Sequence, residues 1–244
     1  MDGTLLDAHD RLSPRVIDAV ARASAHVPVA IASGREPTDV ARYARELGLT
    51  TPQISDNGAR LLDPATNSTI EAHPIARADS RRIANGLEER SMLFFAVDGW
   101  AAVRNVSEVR DWDITVIAGY TRDRDASAEV QSAAVREAAN LASDHVTAIL
   151  SQGAERHRWY VNFTRHGIDK GTGLRSWANL LGVSLDGVVF VGDSFNDVEA
   201  FAVAGLPVAM GSAPDEVRAA AAESVGDVDA DGVAEAIKRF VLPR

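Results

Sequence analysis

The clearest indication of the fold is the stretch Val-Val-Phe-Val-Gly-Asp-Ser-Phe-Asn-Asp at residues 188–197. Four consecutive apolar residues are typical of a parallel strand that is covered on both faces. Gly192 ends the strand, and the polar residues that follow lie before a helix predicted over 196–204. A strand, a short polar loop and a helix in this order predict one unit of an open parallel α/β sheet.

The same pattern occurs on both sides of this stretch. Short apolar strands are predicted at 27–32, 53–55 and 206–210. Helices are predicted at 14–24, around 40–47, and at 173–181, 214–222 and 231–241, several of them ended by glycine. The sequence therefore predicts an α/β fold whose core, a Rossmann-like parallel sheet, is formed by residues 1–60 and 166–244.

The middle of the chain, residues 61–165, has a different pattern. Strands are predicted at 68–74, 92–97, 114–117 and 159–163, and helices at 78–90 and 126–143. We predict that this segment forms a second domain of α+β type, inserted between the two halves of the core.

Composition excludes several classes of protein. The 244 residues include 25 Lys and Arg against 35 Asp and Glu, a net charge of −10, which disfavours nucleic-acid and membrane-surface binding. Cysteine is absent, so disulfides, thiolate nucleophiles and Cys-type zinc sites are excluded. No apolar run reaches the roughly 18–20 residues of a membrane span, and no leader pattern is present. We expect a cytoplasmic location; the sequence does not indicate the oligomeric state.

Polar side chains follow the predicted core strands where those strands end. Ser33 follows residues 27–32, Asp193 and Asp197 follow 188–191, and Asp2 and Lys170 lie in flanking turns. Ligands of open α/β sheets bind at this edge, so we expect these side chains to meet there. Crowded carboxylates destabilise one another unless a cation joins them, and an all-oxygen set favours Mg²⁺. The sequence therefore predicts a magnesium site containing Asp2, Asp193 and Asp197.

A lysine and a hydroxyl beside such a cation are suited to phosphate oxygens. Lys170 would supply the positive charge and Ser33 the hydroxyl, a combination typical of phosphoryl transfer. Each residue alone also fits a structural role: Ser33, Asp193 and Asp197 as helix caps, and Lys170 as a solvated lysine. The loops of nucleotide-binding proteins, GxGxxG and the Walker loop, are absent.

Four motifs in this order resemble those of the haloacid dehalogenase-like phosphatases. They are Asp-Gly-Thr-Leu-Leu-Asp at 2–7, Ile-Ala-Ser-Gly-Arg at 31–35, Lys170, and Gly-Asp-Ser-Phe-Asn-Asp at 192–197. Residues 55–59, 208–213 and 231–234 are similar to the Cof-type subgroup, whose α/β cap lies between the second and third motifs. The inserted domain lies where that cap belongs.

The resemblance implies roles for the matching residues. Asp2 would be the general acid and base, with its main-chain carbonyl on Mg²⁺, and Asp193 would be a magnesium carboxylate. Lys170 would neutralise nucleophile and phosphate, while Asn196 and Asp197 would hold magnesium-bound water and Lys170. Phosphate or substrate binding is implied for Thr4, Ser33, Gly34, Arg35, Asn57 and Asn196.

The first motif departs from the family at its nucleophile. The family's nucleophilic Asp stands two positions before Asp2, and that position lies upstream of Met1. We interpret the chain as N-terminally truncated, with this Asp and the apolar strand leading into it encoded upstream. Starting at Met1, the chain is expected to show little turnover and reduced stability.

The resemblance implies Mg²⁺-dependent hydrolysis of small phosphomonoesters, most often sugar phosphates, through an aspartyl-phosphate. The partner is thus a small phosphorylated metabolite. Two alternatives stay open: a phosphohexomutase-like phosphotransferase, and a non-catalytic protein that binds a phosphometabolite. We further expect that Lys170→Ala abolishes turnover but leaves the fold intact, because a charged loop lysine contributes little to a core.

Overall fold

The structure is a computed structural model, and it describes residues 1–123, 125–152 and 158–243. Its helices are α1 (Pro14–Ser24), α2 (Pro37–Glu46), α3 (Arg77–Glu89), α4 (Ala128–Ala138), α5 (Lys170–Leu181), α6 (Val198–Phe201), α7 (Asp215–Ala219) and α8 (Gly232–Phe240). Its strands are β1 (Gln53–Ser55), β2 (Arg60–Asp63), β3 (Ser68–Ala72), β4 (Leu93–Asp98), β5 (Ala101–Val103), β6 (Ile114–Tyr120), β7 (Val146–Gln152), β8 (Trp159–Arg165), β9 (Val189–Gly192), β10 (Leu206–Ala209) and β11 (Glu223–Ser224).

The core combines parallel strands with helices on their faces. β9, β10 and β11 pair in parallel, with Leu206 opposite Val189. The sequence fixes where α1, one of the helices that cover the sheet, begins. Ser13 Oγ accepts the Val16 amide at 3.1 Å, and Pro14 occupies the first turn. α1 buries one apolar face in the core and contacts α8. The predicted α/β fold class is confirmed.

The predicted strand at 27–32 is wrong for most of its length. Ala32 forms an isolated parallel bridge with Ile54, and Ile31 is bonded through its main chain to the side chain of Gln53 and the amide of Ile54. These bonds all lie on the side of β1. The opposite side of this extended segment borders an apolar groove of about 370 Å³, whose far wall is β9. Without a neighbour in that groove, the segment has no second strand with which to form a ladder.

The inserted segment forms its own antiparallel sheet in the order β5-β4-β6-β8-β7. One face of this sheet packs against α3 and α4, with Ile83, Leu87, Val135 and Phe163 buried between them. The other face is directed toward the core. Among the residues that the structure describes, no helix is both long and apolar enough to cross a membrane.

Two strands of the predicted insert pack with the core. β2 pairs antiparallel with β1 and β3 with β2, and Leu61 and Leu62 belong to the core's apolar clusters. The first residue in the sequence that belongs to the cap's apolar cluster is Ile75. The domain boundaries at 60/61 and 165/166 stay predictions. The helix predicted at 126–143 is shorter than expected, ending at Ala138 before a 3-10 turn, and β7 follows it.

Candidate active site

A cleft of about 500 Å³ lies between the strand ends of the core and the open face of the cap sheet. Nine of the ten predicted site residues line it: Asp2, Ser33, Gly34, Arg35, Asn57, Lys170, Asp193, Asn196 and Asp197. Thr4 lies behind Asp193 and borders the apolar groove instead. The structure thus brings together residues that are up to 195 positions apart in the sequence.

Lys170 and Asp197 form a buried ion pair at the floor of the cleft. Lys170 Nζ donates to Asp197 Oδ1 at 2.6 Å, and both side chains are only 5% exposed. Asp197 Oδ2 accepts the amides of Asp193 and Ser194, each at 3.0 Å. Burial alone would raise the pKa of Asp197, but the charge and hydrogen bond of Lys170 outweigh it and lower that pKa. Asp197 is therefore a buried carboxylate, and both of its oxygens accept hydrogen bonds.

The expectation that Lys170 is a loop lysine is wrong. Lys170 is the first residue of α5, which begins three residues earlier than predicted. A capping box fixes this end: Asp169 Oδ1 accepts the Thr172 amide at 2.8 Å, and Thr172 Oγ1 accepts the Asp169 amide at 2.8 Å. The helix start thereby holds Lys170 against Asp197, and the lysine is part of the packed interior.

Asp193 is held close to the first motif. Thr4 Oγ1 donates to Asp193 Oδ1 at 2.6 Å. Gly3 has a positive φ of 71°, and a Cβ there would lie 2.5 Å from Asp193 Oδ2. Glycine is therefore required both for the turn and for the close approach of the main chain to this carboxylate.

Asp2 is bound by Arg35. Arg35 Nε donates to Asp2 Oδ2 at 2.9 Å, and its Nη2 contacts Asp2 Oδ1 and Asp10. Its Nη1 donates to Asp39 at 3.1 Å. Burial raises the pKa of Asp2, but the hydrogen bond from Arg35 and the charges of the Met1 amino group and Arg35 outweigh it, so the pKa lies below its ordinary value. Asp2 is therefore a carboxylate at neutral pH while this pair is closed.

Ser33, Asn57 and Asn196 form a polar wall. Asn196 Nδ2 donates to Asn57 Oδ1 at 2.8 Å, and the Asn57 amide donates to the Ser33 carbonyl at 3.0 Å. Asn57 has a positive φ of 54°, and a Cβ at Gly34 would lie 2.8 Å from its Oδ1. Asn57 Nδ2 and Asn196 Oδ1 are buried without a hydrogen-bond partner. Such groups need a ligand or water to satisfy them, and an amide N–H is suited to a phosphate oxygen.

The donor set around Asp193 fits a hard cation in part. Asp193 offers a carboxylate, and the unpartnered Asn196 Oδ1 is a neutral oxygen in the same loop. The carboxylates of Asp2 and Asp197 are already bound by Arg35 and Lys170. Among the described residues, no cluster of three or more His, Cys, Asp or Glu side chains is arranged to hold a metal. Magnesium binding by Asp2, Asp193 and Asp197 stays a prediction.

The cap contributes residues that the sequence analysis missed. They alternate along β4, β6, β7 and β8 on the face that lines the cleft, joined by residues from adjoining turns: Phe95, Arg104, Val116, Ala118, Tyr120, Ser151, Gln152, Arg158, Tyr160 and Asn162. Period-two alternation marks such positions only once the buried face of the sheet is known. No sequence motif distinguishes them from the opposite face.

Direct contacts hold the cap over the core. The rings of Trp159 and Phe195 are stacked with centroids 5.5 Å apart, and the Gln152 amide donates to Ser194 Oγ at 3.3 Å. A second contact is buried beside Asn57, where Asp56 accepts from Arg60 of β2 and from Thr115 of the cap strand β6, each at 2.9 Å. Burial nonetheless raises the pKa of Asp56. The cleft is thus a covered site in which electrostatic interactions are stronger than in water.

Residues 1–237 match the family model of haloacid dehalogenase-like hydrolases. The chain belongs to this family. The predicted membership and the enzyme class, a phosphatase of the Cof type, are confirmed. The chain is 30% identical to the pyridoxal phosphate phosphatase YbhA of Escherichia coli, over 99% of the chain and 97% of that protein. It is also 30% identical to a phosphoglycolate phosphatase of Natronomonas pharaonis, over 98% and 94%.

Solved structures share the fold. A haloacid dehalogenase-like hydrolase from Bacillus subtilis superposes with a TM-score of 0.81 at 23% identity, covering 98% of this chain and 97% of its own. The sugar phosphatase BT4131, of subclass IIB, superposes with a TM-score of 0.82 at 20% identity, over 98% and 96%. At these identities the likeness shows the fold, cap included.

Proposed function

We propose that this protein hydrolyses small phosphomonoesters, sugar phosphates among them, in a Mg²⁺-dependent reaction with an aspartyl-phosphate intermediate. The observation that carries the proposal is the buried Lys170–Asp197 pair in one covered cleft with Asp193, Ser33 and Asn57. A buried lysine, an acid and the unpartnered Nδ2 donor of Asn57 are suited to a phosphoryl group. The relatives named as phosphatases act on pyridoxal phosphate and phosphoglycolate, which are small phosphate esters.

We propose that the nucleophile is an Asp directly before Met1, at the end of an apolar strand. Met1 is 8% exposed and lines both the cleft and the apolar groove. A residue joined to its amino group would therefore stand between the two. The groove walls are the extended segment 28–32 and β9, and among the described strands β9 pairs with β10 alone. An apolar strand in that groove would bury apolar surface and complete the parallel sheet.

The proposed chemistry proceeds in two displacements. A carboxylate oxygen of the nucleophile attacks phosphorus, the ester P–O bond breaks, and Asp2 gives its proton to the leaving alcohol oxygen. Water then attacks the same phosphorus, gives its proton to Asp2, and the bond between phosphorus and the Asp oxygen breaks. Because Arg35 holds Asp2 ionised, the first step requires this pair to open, so that Asp2 carries a proton.

The remaining residues hold the phosphoryl group and its charge. Lys170 would neutralise the charge gathered on nucleophile and phosphate, while Ser33 and the free Nδ2 of Asn57 would donate to phosphate oxygens. Bound Mg²⁺ would neutralise the phosphoryl oxygens, held by the Asp193 carboxylate and the Asp2 main-chain carbonyl.

The test uses the chain extended before Met1 by an apolar strand that ends in Asp. We expect it to release phosphate from an aryl phosphate, to stop when Mg²⁺ is chelated, and to lose at least about 100-fold in rate with Asp193→Asn. Asp186→Asn, at an exposed position outside the cleft, is the matched control and should keep full activity. Release that needs no Mg²⁺, or that survives Asp193→Asn, would contradict the proposal. Isomerisation of a hexose phosphate without net release would favour the mutase alternative.

A further inference from the structure

The cap side of the cleft carries positive charge without a matching acid. Its cap-derived lining includes Arg104 and Arg158, and none of the described cap residues that line the cleft is Asp or Glu. The carboxylates of the cleft all belong to the core: Asp2, Glu36, Asp39, Asp193 and Asp197. Within the described lining the cleft is therefore polarised, with two arginines on the cap side and the carboxylates on the core side.

Arg158 is the unusual member of this pair. Its residue is 5% exposed, and its Nη1 atom is buried without a hydrogen-bond partner. An isolated buried cation costs free energy unless an anion or several acceptors satisfy it. Arg158 is thus a charged donor that is buried in the cleft wall, and within residues 1–123, 125–152 and 158–243 no carboxylate forms an ion pair with it.

Aromatic rings hold this guanidinium in place. Arg158 Cζ lies 5.6 Å from the centroid of Tyr120, and the Tyr120 and Tyr160 rings are 5.4 Å apart. Tyr120 is the last residue of β6 and Tyr160 the second of the adjacent strand β8, where Gly119 lies opposite Val161. The cation–π contact orients the side chain but leaves its N–H groups available to a ligand. Arg104 is exposed beside the same cleft, 5.7 Å from the centroid of Phe95.

We propose that Arg158 binds a second anionic group on the substrate, so that the preferred substrates are phosphomonoesters carrying a carboxylate or a second phosphate. This inference rests on the proposed function, because the reacting phosphate is assigned to Lys170, Ser33 and Asn57 on the core side. The opposite end of a bound ester then meets the cap, where Arg158 makes charge-assisted, bidentate hydrogen bonds to an oxyanion. Arg158 acts as a specificity residue and takes no part in bond breaking.

Binding to the chain as it stands tests this assignment without turnover. Calorimetry in Mg²⁺ compares two matched pairs of probes: phosphoglycolate with ethyl phosphate, and glucose bisphosphate with glucose monophosphate. In at least one pair, we expect the member with a second anionic group to bind about tenfold more tightly than the member whose only anion is its phosphate ester. The first pair reports a carboxylate and the second a phosphate, so the pair that shows the preference identifies the source of the anion.

The variants separate specificity from structure. Arg158→Gln should remove the preference and leave the affinity for ethyl phosphate and glucose monophosphate unchanged. Arg110→Gln changes an exposed cap arginine outside the cleft and should keep the preference. Because Arg158→Gln removes an unpaired buried charge, its melting temperature should be no lower than that of the parent. A structural arginine would instead lower the melting temperature and weaken every probe alike.

Two results would overturn the assignment. One is equal affinity for both members of each pair. The other is an Arg158→Gln variant that keeps the preference, or that loses affinity for all four probes alike. Binding of ethyl phosphate without any preference would leave the proposed phosphatase function standing and remove this inference alone. Failure of all four probes to bind would remove both.

Discussion

At the scale of single residues, Arg35 controls the protonation of Asp2. The two ends of its guanidinium bind Asp2 on one side and Asp39 on the other. The side chain of Arg35 is 20% exposed and that of Asp2 is 33% exposed, so solvent screens the pair only in part. The lowered pKa of Asp2 therefore reports an interaction that stabilises the folded protein at neutral pH.

This pair makes the stability of the protein depend on pH. A carboxyl with a lowered pKa in the folded state stabilises that state above its unfolded pKa, and the stabilisation is lost as the pH falls through the folded pKa. A double-mutant cycle of Asp2→Asn and Arg35→Gln should give a coupling of about 1–3 kcal/mol at pH 7. The coupling should fall as the pH drops through the folded-state pKa of Asp2, which lies below the ordinary value of this carboxyl.

Chemical denaturation across this pH range measures the coupling. Asp39→Asn with Arg35→Gln is the control cycle, because Asp39 contacts the same arginine but has no assigned role in the reaction. A coupling between Asp2 and Arg35 that does not fall as the solution is acidified through the folded-state pKa of Asp2 would contradict the ion pair.

Sequence could predict the core residues of the site but not those of the cap. Asp193, Asn196 and Asp197 follow an apolar strand, and that placement alone brings them to the sheet edge. Arg158 has no comparable signal, since its burial depends on Tyr120, which lies 38 positions away in sequence and on a different strand. Local patterns carry no information about such a contact.

At the scale of secondary-structure elements, the start of α5 and the loop after β9 are joined through one ion pair. The capping box at Asp169 fixes the helix start, and Lys170 then reaches Asp197. The amides of residues 193 and 194 bind the other oxygen of Asp197. The pair therefore links a helix and a strand end in addition to holding charge in the site.

Removing Lys170 should destabilise the fold as well as abolish turnover. Lys170→Met leaves Asp197 buried without its cation, which costs about 3–5 kcal/mol. The double variant Lys170→Met/Asp197→Asn should recover most of that loss, because no uncompensated charge then stays buried, but it should stay inactive. Urea denaturation provides the free energies of unfolding. Lys238→Met, on the last turn of α8, is the matched control and should change stability little.

If Lys170→Met alone unfolded no more easily than the parent, the buried pair would not support the fold. In that case the original expectation of a solvated lysine would be restored.

Helices and strands could be predicted where the local sequence alone carries the signal for them. Apolar runs identified β9 and β10, and Ser13-Pro14 identified the start of α1. The segment 27–32 has an equally apolar sequence, yet it forms only one isolated bridge, with Ile54 of β1, and its other side borders the apolar groove. The sequence analysis did not predict β7, because it continued the preceding helix to residue 143. Residues 146–150 are nonetheless rich in strand-forming side chains.

At the scale of the whole molecule, two cavities meet at Met1. The cleft is polar and covered by the cap, whereas the groove is apolar and runs between two halves of the core. A strand in the groove would therefore connect the stability of the core to the chemistry of the cleft. This connection is the central claim of our proposal, in which a strand in the groove would complete the sheet and an Asp at its end would be the nucleophile.

A matched pair of extended proteins tests this claim most directly. Both carry the same apolar strand before Met1, one ending in Asp and the other in Asn. We predict that both melt at a higher temperature than the 244-residue chain, and that only the Asp form releases phosphate and becomes phosphorylated on that residue when quenched in acid. If neither extension raised the melting temperature, or if the Asn form hydrolysed an aryl phosphate as fast as the Asp form, the account would be contradicted.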